Sequence, residues 1–394
     1  MDIELAARVQ RIKPSPTLAV TARAAELRAA GHDVIGLGAG EPDFDTPDHI
    51  KEAAMAAVRA GDTKYTPVDG SRALKEAVIA KFQRENGLDY AANEILVSSG
   101  AKQCLFNAMA ALLNEGDEVV IPAPYWVSYP DMALIFGAKP VVVSAGAESR
   151  FKITPKQLEA AITDRCRMVI LNSPSNPTGT AYTKDELAAL GAVLERHPKV
   201  VAVSDDIYEH ILWRDEPFSN IVNAAPALKE RAVVVNGVSK AYAMTGWRIG
   251  YAAGPAKLIG AMKKIQSQST SNACSISQAA SVAALEGDQG CIGPMLEQFK
   301  RRHDFVVARL NAMPGVECTP CDGTFYCFPK VQGAMERMGS ADDIAFAEAL
   351  LNDSGVALVP GSAFGAPGYA RISYATSMEN LEKAMDRMDQ ALRG

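Results

Sequence analysis

Along the middle of the chain, short apolar runs alternate with longer stretches in which apolar residues return every three or four positions. Residues 94–97, 118–121, 167–171, 200–203, 232–235 and 248–252 are four or five residues long and rich in Val and Ile. A continuous apolar run, rather than an alternating one, is what a strand covered on both faces requires. Most of the intervening segments are long enough for a helix. This β–α–β rhythm predicts an α/β fold with a largely parallel sheet and helices on both sides. After about residue 287 the texture changes. Helical periodicity over 295–313 leads to a strand at 323–328, a helix, two further short strands and a closing helix at 380–392. That succession predicts a smaller α+β domain. A helix at 16–30 and a short strand at 34–37 precede the sheet region and are expected to join it. The predicted division is therefore 1–45 as an N-terminal arm and part of the small domain, 46–287 as the large domain, and 288–394 as the C-terminal small domain.

Composition narrows the function classes. Of 394 residues, 48% are hydrophobic and 22% charged, as in a folded chain with a substantial core. The formal net charge is −6 and no dense Lys/Arg stretch occurs, which gives nucleic acid no electrostatic footprint. Seven cysteines are scattered. Cys318 and Cys321 form a CxxC-like pair near Cys327, but no fourth ligand follows at zinc-site spacing, so no metal is expected and the thiols read as free, in a reducing compartment. Residues 1–20 lack the apolar core of a signal peptide, and no window approaches ~20 apolar residues. The expectation is a cytoplasmic enzyme or binding protein.

Chemistry gathers just beyond the apolar runs. In Asn236-Gly237-Val238-Ser239-Lys240, a lysine follows a buried strand, and Arg248 lies eight residues on. A lysine so placed is costly to desolvate unless neutral, paired or covalently modified, and a Schiff base to an aldehyde removes most of that cost. Arg248 could clamp a phosphate and the Ser239 hydroxyl assist it; both cations read equally well as snorkelling surface residues. Val203-Ser204-Asp205-Asp206-Ile207-Tyr208 delivers two carboxylates and a phenol at a strand end, either as a ligand site or as an ordinary helix cap. Asn172-Ser173-Pro174-Ser175-Asn176-Pro177 places an amide in a turn. Val97-Ser98-Ser99-Gly100-Ala101-Lys102 runs from a strand through glycine into a helix start, where free N–H groups can hold phosphate. Trp126, after Pro124-Tyr125, is either a stacking face or a core residue. Arg371 stands alone in the apolar strand Ala370-Arg371-Ile372-Ser373-Tyr374, so it needs a carboxylate from the protein or from a ligand. Gly36-Leu37-Gly38-Ala39-Gly40 is not a GxGxxG fingerprint, because Glu41 fills the last position, and no GxxxxGK[ST] occurs.

Taken together and in this order, these residues resemble the class I (fold type I) pyridoxal-phosphate aminotransferases over essentially the whole chain. The segments Ala39-Gly40-Glu41-Pro42-Asp43-Phe44, Pro124-Tyr125-Trp126-Val127-Ser128-Tyr129-Pro130 and Ala243-Met244-Thr245-Gly246-Trp247-Arg248-Ile249-Gly250 are similar to the prokaryotic subgroup of bacterial aspartate aminotransferases. The resemblance implies a seven-stranded, mostly parallel sheet and pyridoxal 5′-phosphate as cofactor, carried as an internal aldimine on Lys240. It further implies that Lys240 moves the proton between substrate Cα and cofactor C4′. Asp205, rather than Asp206, pairs with the pyridinium; Tyr208 and Asn176 hydrogen-bond the ring oxygen; and Trp126 stacks on the ring. Arg248, Ser239 and the backbone at Ala101 and Lys102 hold the phosphate, and Tyr65 reaches the phosphate of a neighbouring subunit, which implies a homodimer. Arg371 binds the substrate α-carboxylate with the Gly40 backbone and Asn176, Lys102 meets the distal carboxylate, and Lys13 marks acceptance of prephenate.

The implied reaction is ping-pong transfer of an amino group from L-aspartate to 2-oxoglutarate, with prephenate to arogenate as an extension. Broader or aromatic specificity, and a β-eliminating lyase on the same fold, share most of these motifs. A regulator's effector domain on this fold needs a DNA-binding extension, for which residues 1–13 are too short. One departure stands out: Gly237 lies three residues before the lysine, where many relatives place Ser or Thr, so Ser239 is expected to substitute.

Overall fold

In the computed structural model, which describes residues 3–14 and 16–394, seven strands form one sheet. From edge to edge they are Ile95–Ser98, Gly250–Ala253, Ala232–Gly237, Val201–Asp205, Cys166–Asn172, Glu118–Ala123 and Lys139–Ser144. From Ala232–Gly237 to Lys139–Ser144 every pairing is parallel, and Gly250–Ala253 runs antiparallel to both its neighbours. The fold is α/β with a mostly parallel sheet. Six of the strands coincide within two residues with the apolar runs. The seventh, Lys139–Ser144, escapes that pattern for a physical reason: it is an edge strand with alternately exposed residues and a proline, and an edge needs neither two buried faces nor every N–H.

Alternation of side chains within each run builds two cores at once. Val120, Val169, Leu171, Ala202 and Val234 face one side, under helices Asp48–Arg59, Arg72–Lys81, Lys184–Glu195 and Ser275–Glu286. Val119, Ile121, Met168, Ile170, Val203, Val233 and Val235 face the other, under Ala101–Leu112, Ser128–Ile135 and Ala256–Ser267. Both faces are closed, so ligands are left the crevice beyond the carboxyl ends of the strands.

A third core lies around the C-terminal elements, among them Phe299, Phe325, Phe346, Ile372, Leu381 and Met385. Ala370–Ser373 is the centre of a three-stranded antiparallel sheet, between Val359–Pro360 and Tyr326–Cys327. Ile35–Gly36 pairs in parallel with Val356–Ala357. The helix expected at 295–313 is Ile292–Asn311 and the closing helix is Met378–Arg393. Two expectations need correction. The strand expected at 323–328 shrinks to Tyr326–Cys327, because Thr324 turns to φ 67° and Gly323 presses against the Ile211 carbonyl. The single helix expected after it is two, Gln332–Met338 and Asp343–Ser354, the first ended by Gly339 in the left-handed region.

Two contacts carry this third core onto the sheet. Tyr208 and Ile211, just beyond Val201–Asp205, are buried within it. Arg302, on Ile292–Asn311, grips both oxygens of Asp43 at 2.6 and 3.0 Å, fixing the segment that follows Gly40.

Candidate active site

The ends of five strands and the strand carrying Arg371 converge on a cleft of about 500 Å³. Gly40, Ala101, Lys102, Trp126, Asn176, Asp205, Tyr208, Ser239, Lys240, Arg248 and Arg371 all line it. Two expected residues do not. Tyr65 is 92% exposed, and Lys13 lies exposed on the N-terminal arm. Neither belongs to the lining of this cleft.

One end of the cleft is built for an anion. Gly100 adopts φ 91° at the start of Ala101–Leu112 and offers no capping side chain, so the first-turn N–H groups of Ala101 and Lys102 remain uncapped. A Cβ at Gly100 would lie only 2.4 Å from Arg248 Nη2, which puts the guanidinium against the positive end of that helix. Arg248 Nη1 donates to the Thr245 carbonyl at 2.9 Å, and among the described residues no carboxylate pairs with it. Two positive poles with no negative partner fit a phosphate. Packing also explains Gly237: a Cβ there would sit 2.9 Å from the Ile249 carbonyl and 3.0 Å from Gly250 Cα. A Ser or Thr has no room, whereas Ser239 lines the cleft.

The floor holds the titratable groups. Asp205 accepts from the Tyr129 hydroxyl at 2.6 Å, and burial pushes its carboxyl up to about 6 against that hydrogen bond and the nearby Lys240 charge. Asp206 does not line the cleft. Its oxygens are taken by Ser204 at 2.6 Å and Asn220 at 2.9 Å. Lys240 donates to the Gly40 carbonyl, and burial lowers its amine to about 8. Trp126 packs edge-on against Tyr129, and the Lys102 ammonium stands 4.8 Å from its ring centre. Burial, followed by the Arg248 charge, lowers Lys102 from the usual lysine range.

Arg371 is decisive among the substrate groups. It is 2% exposed and donates to Asn176 Oδ1 at 3.0 Å and to the Gly38 carbonyl at 2.7 Å, while its Nε has no partner. Its guanidinium lies 4.5 Å from the Tyr326 ring centre. No described carboxylate pairs with it, so of the two readings open in the sequence the protein partner is absent. Asn176 Oδ1 already accepts from Arg371, and the Nδ2 donors of that amide remain for an anionic ligand.

Among the cleft residues that carried no assignment from the sequence are Tyr129, Asn172, which donates to the Asp205 carbonyl at 2.9 Å, and Tyr326, whose hydroxyl lies 3.0 Å from that of Tyr208. Tyr129 and Asn172 stand inside the quoted motifs, yet their hydroxyl and amide partners are distant in sequence. Among the described residues, one trio has metal-ligand spacing: Glu85, Glu209 and His210. The Lys81 ammonium already contacts both glutamates.

The sequence matches the family described as Aminotransferase class I and II over residues 32–388. The chain belongs to that family. This aminotransferase is 57% identical to an aspartate/prephenate aminotransferase of Nitrosomonas europaea, covering 99% of this chain and 100% of that one. It is 56% identical to one of Cereibacter sphaeroides, over 98% and 97%. Among solved structures, the aspartate aminotransferase of Rhizobium meliloti superposes with a TM-score of 0.95 at 50% identity, covering 100% of this chain and 99% of that one. The aspartate aminotransferase of Thermus thermophilus with maleate gives 0.93 at 44% identity, over 99% and 100%. The mostly parallel seven-stranded sheet is thus the aspartate aminotransferase fold, and no helix among the described residues of the aminotransferase is long and apolar enough to cross a membrane.

Proposed function

We propose that the chain is a pyridoxal-phosphate-dependent aspartate aminotransferase, passing the amino group of L-aspartate to 2-oxoglutarate to give oxaloacetate and L-glutamate, and that it also aminates prephenate to arogenate. The observation that carries this reading is Arg371: a buried guanidinium without a carboxylate, in the same cleft as an amine lowered toward neutrality. The names of the relatives and the maleate of the Thermus structure, a four-carbon dicarboxylate, support the acidic substrate.

Pyridoxal phosphate, when bound, supplies an aldehyde carbon that captures amines and a protonated ring that withdraws electrons from Cα. Arg248, Ser239 and the uncapped N–H groups of Ala101 and Lys102 hold its phosphate. Asp205 would keep the proton on the ring nitrogen, Trp126 would offer its face to the ring, and Tyr208 and Asn176 Nδ2 would donate to the ring oxygen. Lys240 Nζ would carry the proton between substrate Cα and cofactor C4′. Arg371 binds the α-carboxylate with the Gly40 backbone and Asn176, and Lys102 faces the distal carboxylate. Lys13, on the N-terminal arm and outside the cleft lining, is the proposed determinant of prephenate acceptance. Tyr65 and the exposed apolar Ile3, Leu5, Val9, Met55 and Val58 support a homodimer in which Tyr65 reaches the partner's phosphate. The division at residues 45 and 287 is retained, supported by the separate third core and the pairing of Ile35–Gly36 with Val356–Ala357.

The test is an absorbance spectrum of the purified protein with added cofactor. A pH-sensitive band at about 360–430 nm is expected, shifting on addition of aspartate and lost in Lys240→Ala. A protein that takes up no pyridoxal phosphate would end this reading, and failure to turn over prephenate would end its second half.

A further inference from the structure

Tyr326 stands at a junction that the proposed chemistry leaves unused. Its hydroxyl lies 3.0 Å from that of Tyr208, and neither hydroxyl has another partner among the described residues. Both side chains are buried, and their rings meet edge-on at 5.9 Å. The same Tyr326 ring lies beneath Arg371, and a Cβ on Gly40 would come within 3.4 Å of its hydroxyl. The ring is held on its other side by Phe325, 4.6 Å between centres, and the backbone by Thr324 Oγ1.

Each phenol has one proton, and only one proton can occupy the contact between two hydroxyl oxygens. Two orders are available. If Tyr208 donates to Tyr326, nothing from Tyr208 is left for a ligand. If Tyr326 donates to Tyr208, the Tyr208 proton is released toward the cleft, and its oxygen, polarised by the bond it accepts, becomes the stronger donor. We infer that Tyr326 is a positioning residue: its hydroxyl donates to Tyr208 and so aims the single Tyr208 proton at the anionic ring oxygen of the cofactor. The inference rests on the proposed function. It adds that the donor at the ring oxygen is a two-hydroxyl chain, whose outer member also stacks on the substrate-carboxylate guanidinium.

The test is a pH titration of the visible band in the cofactor-loaded enzyme without substrate. The ring oxygen is most anionic after the proton it shares has left, so a donor to it lowers the pH at which the band changes. Tyr326→Phe keeps the ring beneath Arg371 and deletes only the hydroxyl. Its midpoint is expected to rise by roughly half to one pH unit, the size of one weakened hydrogen bond. Tyr208→Phe should raise the midpoint further, and the double variant should match Tyr208→Phe alone. A midpoint unmoved in Tyr326→Phe, or a double variant showing the sum of the two shifts, overturns the relay while leaving the aminotransferase reading intact. A wild-type protein with no band overturns both. Thermal melts of the variants check that the fold is kept, and an unchanged KM for aspartate separates loss of the hydroxyl from disturbance of Arg371.

Discussion

Replacing Asp205 by Asn should make the cofactor-free protein more stable while removing most of its catalytic capacity. The carboxyl is 4% exposed, and burial raises it from 3.8 to about 6 despite the Tyr129 hydrogen bond. A raised folded-state value means that the folded protein holds this proton more tightly than the unfolded chain does. Stability from that proton is complete below pH 3.8 and fades as pH rises through 6. The shift corresponds to about 3 kcal/mol at pH 8 and about half of that at pH 5. Asn has the same shape and can still accept from Ile207 and meet the Tyr129 hydroxyl, but carries no charge to desolvate. Melting the two cofactor-free proteins side by side should show the variant higher by roughly 3 °C at pH 8, with a smaller gap at pH 5. Adding cofactor should reverse the order, because only the carboxylate can pair with a ring cation. A variant that melts at or below wild type at pH 8, or a gap indifferent to pH, would refute the reasoning.

Two further outcomes follow from distances in the cleft. Arg371→Lys exchanges a two-armed donor for a point charge and should lower kcat/KM for aspartate about 100-fold or more, the worth of one to two charge-assisted hydrogen bonds; steady-state rates within threefold of wild type would remove Arg371 from the α-carboxylate. Gly237→Ser places a Cβ 2.9 Å from the Ile249 carbonyl, so it should destabilise the protein by about 1–3 kcal/mol in denaturant melts without tightening cofactor binding.

Much of the site was legible because its residues follow continuous apolar runs. Such runs mark strands closed on both faces, and whatever polar group comes next is delivered to the crevice. Lys240, Asp205 and Asn176 are found this way, and Arg371 by the opposite signal, a cation inside an apolar strand. Partnership was not legible. The Tyr129 hydroxyl meets a carboxylate 76 residues away and the Tyr326 hydroxyl meets a phenol 118 residues away, so each reads along the chain as one more apolar ring in a core. The edge strand Lys139–Ser144 was obscured because exposure breaks up its apolar run, and the 323–328 strand was overestimated because apolar residues can also serve a turn packed into a core.

The glycines beneath the cleft bear on how such a protein can change over time. Gly237 and Gly250 face backbone at distances that forbid even a methyl group, and Gly100, at φ 91°, holds a conformation that other residues rarely adopt. Beneath the reacting atoms, mutation therefore has almost no neutral step available. The rim is different: Lys102 and Glu41 are exposed. A lineage descending from this chain can explore new side-chain preferences at the rim, one substitution at a time, while the proton-transfer apparatus stays frozen below it. Directed libraries meant to widen the substrate range belong at the rim, and most variants in the glycine layer will be lost to misfolding before selection sees them.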